Sequence, residues 1–209
     1  MFDSTTLITY ITASIIIILA PGPAQALVLA RTISEGRKAG IITAIGLNTS
    51  IIVHAIAAAV GLSAILATSA SAYTIVKYLG AAYLIYLGIK AFAKQERVES
   101  SANTPGRSST GPFAKAFITG VLNPKVALFF LAFVPQFVDP RRGWVILQFI
   151  TLGAILAILD IVYESILACI AATMSNRFTQ DGKFSVWRQR ITGTVLIGLG
   201  VRLFFMEKI

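Results

Sequence analysis

Leu19-Ala20-Pro21-Gly22-Pro23 interrupts the first long apolar run of the chain, and Leu122-Asn123-Pro124-Lys125 interrupts a later one. Proline lacks a backbone N–H and its ring clashes with the preceding turn, so each interruption frees backbone groups from a helix ladder. In hydrocarbon those groups must find partners inside the protein or face a water-filled cavity. Two such breaks at matching places in two halves are the best sequence pointer to the binding site of a transporter.

The runs around the breaks are of membrane type. Hydrophobic residues make up 56% of the 209, charged residues 13%, and the mean hydropathy is +0.79. Soluble domains usually carry about 25% charge. Residues 4–30 hold no charged side chain, and about 20 apolar residues suffice to span a bilayer. Residues 39–76 lack Asp, Glu, Lys and Arg, which is too long for one span and predicts a turn near Thr68-Ser69-Ala70-Ser71. The pattern predicts an all-α membrane protein of six spans, over 4–31, 39–67, 71–93, 112–137, 143–174 and 187–206. Residues 94–111, rich in Ser with Pro105 and Gly106, read as a linker between a three-helix half at 1–93 and another at 112–209. No soluble domain remains. Met1-Phe2-Asp3 has no positive leader region, so the first span reads as retained rather than cleaved.

Charge sets the orientation. The net charge of +9 invites a nucleic-acid reading, but no soluble reader module is present and topology explains the excess. The connections after spans 1, 3 and 5 hold Arg31, Arg37, Lys38, Lys90, Lys94, Arg97, Arg107, Lys115, Arg177, Lys183, Arg188 and Arg190. The opposite side holds only Lys77, Arg141, Arg142, Arg202 and Lys208. The positive-inside rule then puts both termini outside the cytoplasm and the 94–111 linker within it. Trp144 and Trp187 open spans 5 and 6 as interfacial anchors. The one cysteine, Cys169, lies in an apolar run and has no partner for an internal disulfide.

The two halves show a shared spacing. Pro21 and Pro124 are 103 residues apart, as are Gly40 and Gly143, which open the following spans. Leu84–Phe92 reads against Leu196–Phe204 at an offset of 112. Chance likeness between Leu/Gly-rich segments is the alternative, but the proline and glycine spacing favours a repeat. Three spans per half make the second half inverted relative to the first.

Polar residues within spans carry the chemistry, because burying them in lipid is costly. On span 5, Gly153, Ala157, Asp160, Glu164, Ala168 and Ala171 fall on one helical face. Two carboxylates one turn apart repel in a low dielectric, so they are not expected to be ionised together. They suit proton coupling, a substrate ammonium, or a structural bond to a neighbouring helix. Span 2 offers Gly46, Ser50 and His54 one turn apart, with Asn48 beside them. His54 can exchange protons or simply bond a neighbouring helix. One His and two acids fall short of a metal ligand set. At the breaks, the half-helix after Pro21-Gly22-Pro23 presents free N–H groups and a positive dipole end, with Gln25 just beyond. Asn123 can cap the second half-helix, and Lys125 adds a cation at membrane depth. These ends favour an anion, Asp160 and Glu164 a cation, and a zwitterion satisfies both.

Leu19-Ala20-Pro21-Gly22-Pro23, Gly46-Leu47-Asn48, Tyr78-Leu79-Gly80-Ala81-Ala82-Tyr83-Leu84-Ile85-Tyr86-Leu87-Gly88, Gly120-Val121-Leu122-Asn123-Pro124-Lys125 and Pro135-Gln136-Phe137 together resemble the lysine exporter (LysE/RhtB) superfamily, its homoserine/threonine branch most. The resemblance covers most of the chain in order. It implies a multi-pass carrier of the bacterial inner membrane that exports amino acids, driven by the proton gradient, and needs no cofactor. Asp160 falls where related sequences carry an acid in span 5; Glu164 has no such match. The combined reading is alternating access, with substrate bound at Pro21, Gly22, Pro23, Gln25, Asn48, Asn123, Pro124 and Lys125, its carboxylate at the two half-helix ends and its ammonium at Asp160. Asp160, with Glu164 or His54, then handles the proton. The expected partners are an amino acid, a proton and lipid, with small-residue faces such as Gly80, Ala81 and Gly88 permitting a homodimer. A divalent-cation exporter on the same scaffold and a non-transporting membrane scaffold are the rival classes. A membrane enzyme is the weakest, since no nucleophile–base pair is present.

Overall fold

The computed structural model describes residues 2–19, 22–68 and 111–173, with separate helical positions between 75 and 89 and between 194 and 204. Most of the third and sixth spans and the whole 94–110 stretch lie outside the described residues, as do Pro21, Lys90, Trp187 and Arg202. The described chain is helical throughout, with no strand.

Helix α1 (Ser4–Leu19) starts on a side-chain cap. Asp3 Oδ1 accepts from the Thr6 N–H at 2.8 Å, and Oδ2 from the Thr6 hydroxyl at 2.9 Å. The first of these bonds holds the Asp3 carboxyl below the usual carboxylate range. The chain restarts as α2 (Pro23–Glu35) from an extended Gly22. Pro23 at the first helical position loses nothing, because that N–H has no ladder partner. The axes of α1 and α2 differ by 56°.

α2 ends one residue before α3 (Arg37–Thr68) begins. The connection is Gly36 alone, at φ 89°, with its N–H bonded to the Thr32 carbonyl at 3.0 Å. This corrects the sequence reading in two ways. Arg31, Arg37 and Lys38 sit on helix ends rather than in a loop, and the turn is made by Gly36, which the sequence reading does not single out as a turn. Only glycine takes that left-handed backbone freely. Gly40 instead lies in the first turn of α3, where Thr32 and Ala168 crowd it.

α3 is the central helix and uses two faces. Gly46, Leu47, Ser50 and His54 meet α4 (Pro112–Val121). Asn48 and Ala55 meet α6 (Val145–Thr173). Glycines set the spacing: a Cβ on Gly46 would lie 2.7 Å from the Phe113 carbonyl oxygen, and one on Gly120 would lie 2.7 Å from that of Leu47.

The second break follows α4. Asn123 is extended, and its Oδ1 accepts from the Lys125 N–H at 3.0 Å, capping α5 (Pro124–Leu128) as the sequence predicts. The helix then widens to a π turn at Phe129–Phe133 and tightens to a 3₁₀ turn at Val134–Phe137. Pro135, which lacks an N–H, forces that change of ladder. The bend across this break is 43°. Phe129, Phe133, Phe137 and Tyr10 pack their rings in one cluster, and the Tyr10 hydroxyl donates to the Leu152 carbonyl at 2.8 Å, tying α1 to α6.

The connection into α6 is built on Asp139 and Gln148. Asp139 caps a 3₁₀ turn at Pro140–Arg142 and pairs with Arg141 and Arg142. The fully buried Gln148 donates to the carbonyls of Asp139 and Gly143 and accepts from the Asp139 N–H. Gly143 at φ 68° and Trp144 at φ 52° complete the turn, leaving Trp144 79% exposed just before α6. Among the described residues, Arg37–Gly61 and α6 are each long and apolar enough to cross a bilayer. The bent pairs Ser4–Leu19 with Pro23–Glu35 and Pro112–Val121 with Pro124–Phe137 qualify too if each is one span.

Candidate functional site

The two breaks meet. A Cβ built on Gly22 would lie 3.7 Å from Cδ and 3.8 Å from Nζ of Lys125, so the Lys125 side chain lies across the start of α2. Between them, against α6, is a cavity of about 40 Å³, room for about three waters and not for an amino acid. Gly22, Gln25, Asn123, Lys125, Asp160 and Glu164 line it. The structure thus brings six of the residues singled out in the sequence onto one cavity.

Gln25 repairs the first break. Its side-chain Nε2 donates to the carbonyl of Ile18, a group that a continuous α1 would have used in its own ladder. Its Oε1 is buried and accepts no hydrogen bond from any described residue. The two acids differ. Glu164 is 1% exposed, and its Oε2 accepts from Asn48 Nδ2 at 3.0 Å, while the same Nδ2 also donates to the Ala44 carbonyl. Asp160 Oδ1 is shut off from solvent and likewise has no donor among the described residues. A buried acceptor left unpaired costs ~1–3 kcal/mol, so these two oxygens mark where a donor belongs. Lys125 stands within electrostatic reach of both acids.

The other residues stand elsewhere. Pro23 and Pro124 open α2 and α5 without facing the cavity. Asn48 stands behind Glu164 rather than on the cavity wall. His54 does not line the cavity: its Nε2 lies 3.0 Å from the Gly120 carbonyl, and its ring stacks on Phe130. Pro21 lies outside the described residues. No three of His, Cys, Asp and Glu converge on a point among the described residues.

Sequence reasoning missed the apolar wall, formed by Ile17, Ile18, Ile51, Val126, Phe129 and Leu156. A signal existed for two of them. Ile51 is one turn from Asn48, and Leu156 one turn from Asp160, and residues three or four apart share a helix face. It also missed the Gln25 bridge, which depends on the angle between α1 and α2.

These features define a membrane translocator, and the chain belongs to the LysE type translocator family, whose pattern matches residues 15–207. It is 34% identical over 205 residues to the uncharacterized membrane protein YrhP of Bacillus subtilis (strain 168), covering 94% of this chain and 97% of that one. A leucine efflux protein of Salmonella typhimurium is 29% identical over 206 residues, covering 95% and 94%. No solved structure matches the chain.

Proposed function

We propose that the protein exports amino acids across the bacterial inner membrane by proton-coupled alternating access. The carrying observation is the cavity at the meeting of the two breaks, where an anion-favouring helix start and Lys125 face two carboxylates. A zwitterion is the simplest solute that meets both. Its carboxylate would lie at the start of α2 beside Lys125, and its ammonium at Asp160 Oδ1 and Gln25 Oε1. The apolar wall would take an uncharged side chain, so homoserine, threonine and leucine-like neutral amino acids head the cargo list, with basic ones after them. The name of the Salmonella relative supports that class. The present cavity must widen for cargo to enter, and the two breaks are the points at which α2 and α5 would part from α1 and α4. Six spans in two inverted halves, with both termini periplasmic, complete the reading.

The test is efflux from vesicles reconstituted with the purified protein and loaded in turn with an amino acid, its amide and its deaminated acid. Only the compound with both charged ends should leave through the protein. Equal efflux of the amide or the acid would contradict zwitterion recognition. Divalent-cation flux without amino acid flux would favour the metal exporter, and no flux the scaffold.

A further inference from the structure

Three ionisable side chains converge on the cavity from two elements, Lys125 from α5 and Asp160 and Glu164 from α6. The cavity-facing groups from α1, α2 and α3, Ile17, Gln25 and Ile51 among them, do not titrate. Beside those carboxylates the chain supplies an ammonium of its own, on the same cavity and within electrostatic reach of both.

A carrier that moves cargo one way must return empty. Two carboxylates beside an empty cavity would then need another partner, because buried charge without one is strongly unfavourable. Lys125 meets that need. With one cation, two acids and one proton, the empty site is neutral. A zwitterion can enter between the partners as that proton leaves, and the single negative charge that remains faces the positive start of α2. Its ammonium replaces that of Lys125 at the acids, and Lys125, already lying across Gly22, pairs with its carboxylate.

We propose that Lys125 is a tethered stand-in for the cargo ammonium, neutralising Asp160 and Glu164 while the carrier is empty and yielding them when it is loaded. This rests on the amino acid reading above and adds the empty return step to it.

The test separates exchange from net efflux in reconstituted vesicles at saturating leucine. Exchange, with leucine on both sides, needs only loaded carriers; net efflux into leucine-free medium needs the empty return. Lys125→Gln also loses the partner of the cargo carboxylate, so exchange should fall, but net efflux should fall at least about tenfold further than exchange. Lys125→Arg should keep both. Equal loss of both activities in Lys125→Gln would reduce Lys125 to a cargo ligand and overturn the proposal, as would undiminished net efflux. Should Lys125→Gln not fold, Lys125→Cys in a Cys169→Ala background allows the same test. Aminoethylation of that cysteine, which restores an ammonium, should restore net efflux, and failure to do so would count against the proposal. A wild type that exchanges no amino acid would instead overturn the cargo reading itself.

Discussion

Gln25 does two jobs with one amide. Its Nε2 closes the ladder gap at Ile18, and its Oε1 is left as a buried acceptor facing the cavity. Gln25→Leu removes both. It should lower thermal stability in detergent by ~1–3 kcal/mol, the usual cost of orphaning a buried carbonyl, and weaken amino acid binding measured by titration. Unchanged stability would show that the Ile18 carbonyl finds another donor. The residue types at this site were legible in the sequence because a break, a cap, a cation and two acids each carry their chemistry in their identity. Their pairing was not. Asn48 reaching Glu164, and Lys125 covering Gly22, depend on helix angles that no local pattern encodes.

The breaks themselves were legible, since proline cannot continue a ladder. The turn after α2 went unread, because a glycine's identity alone does not say whether its backbone is left-handed, as that of Gly36 is. The close contact of α3 and α4 went unseen for the same reason. Gly120→Ala would put a Cβ 2.7 Å from the Leu47 carbonyl and hard against the Ser50 hydroxyl. Overpacking of this kind typically costs ~1–3 kcal/mol. Gly61→Ala, with nothing within 4 Å, should cost nothing, and equal melting of the two variants would contradict the packing account. In the connection to α6, the Arg141 backbone N–H, and then its guanidinium, holds the Asp139 carboxyl below its usual range. Because the folded value is the lower one, this stabilisation is complete above the ordinary carboxylate range. It is lost as pH falls through the folded value. Asp139→Asn should therefore flatten the acid-side decline in melting temperature; an unaltered decline would place the titrating group elsewhere.

At the scale of the molecule, the helices restart at Pro23 and Pro124, and the two breaks meet over one cavity. The electrostatic reach of Arg142 to Asp3 brings the start of α1 near the connection into α6. Everything central to the account passes through Asp160, the cavity acid with an unpaired oxygen. The most direct measurement is amino acid efflux from reconstituted vesicles driven by an inward proton gradient, comparing wild type with Asp160→Asn. The account predicts that the gradient accelerates wild-type efflux and has no effect on the folded Asp160→Asn protein. Normal gradient-driven efflux from Asp160→Asn would contradict it.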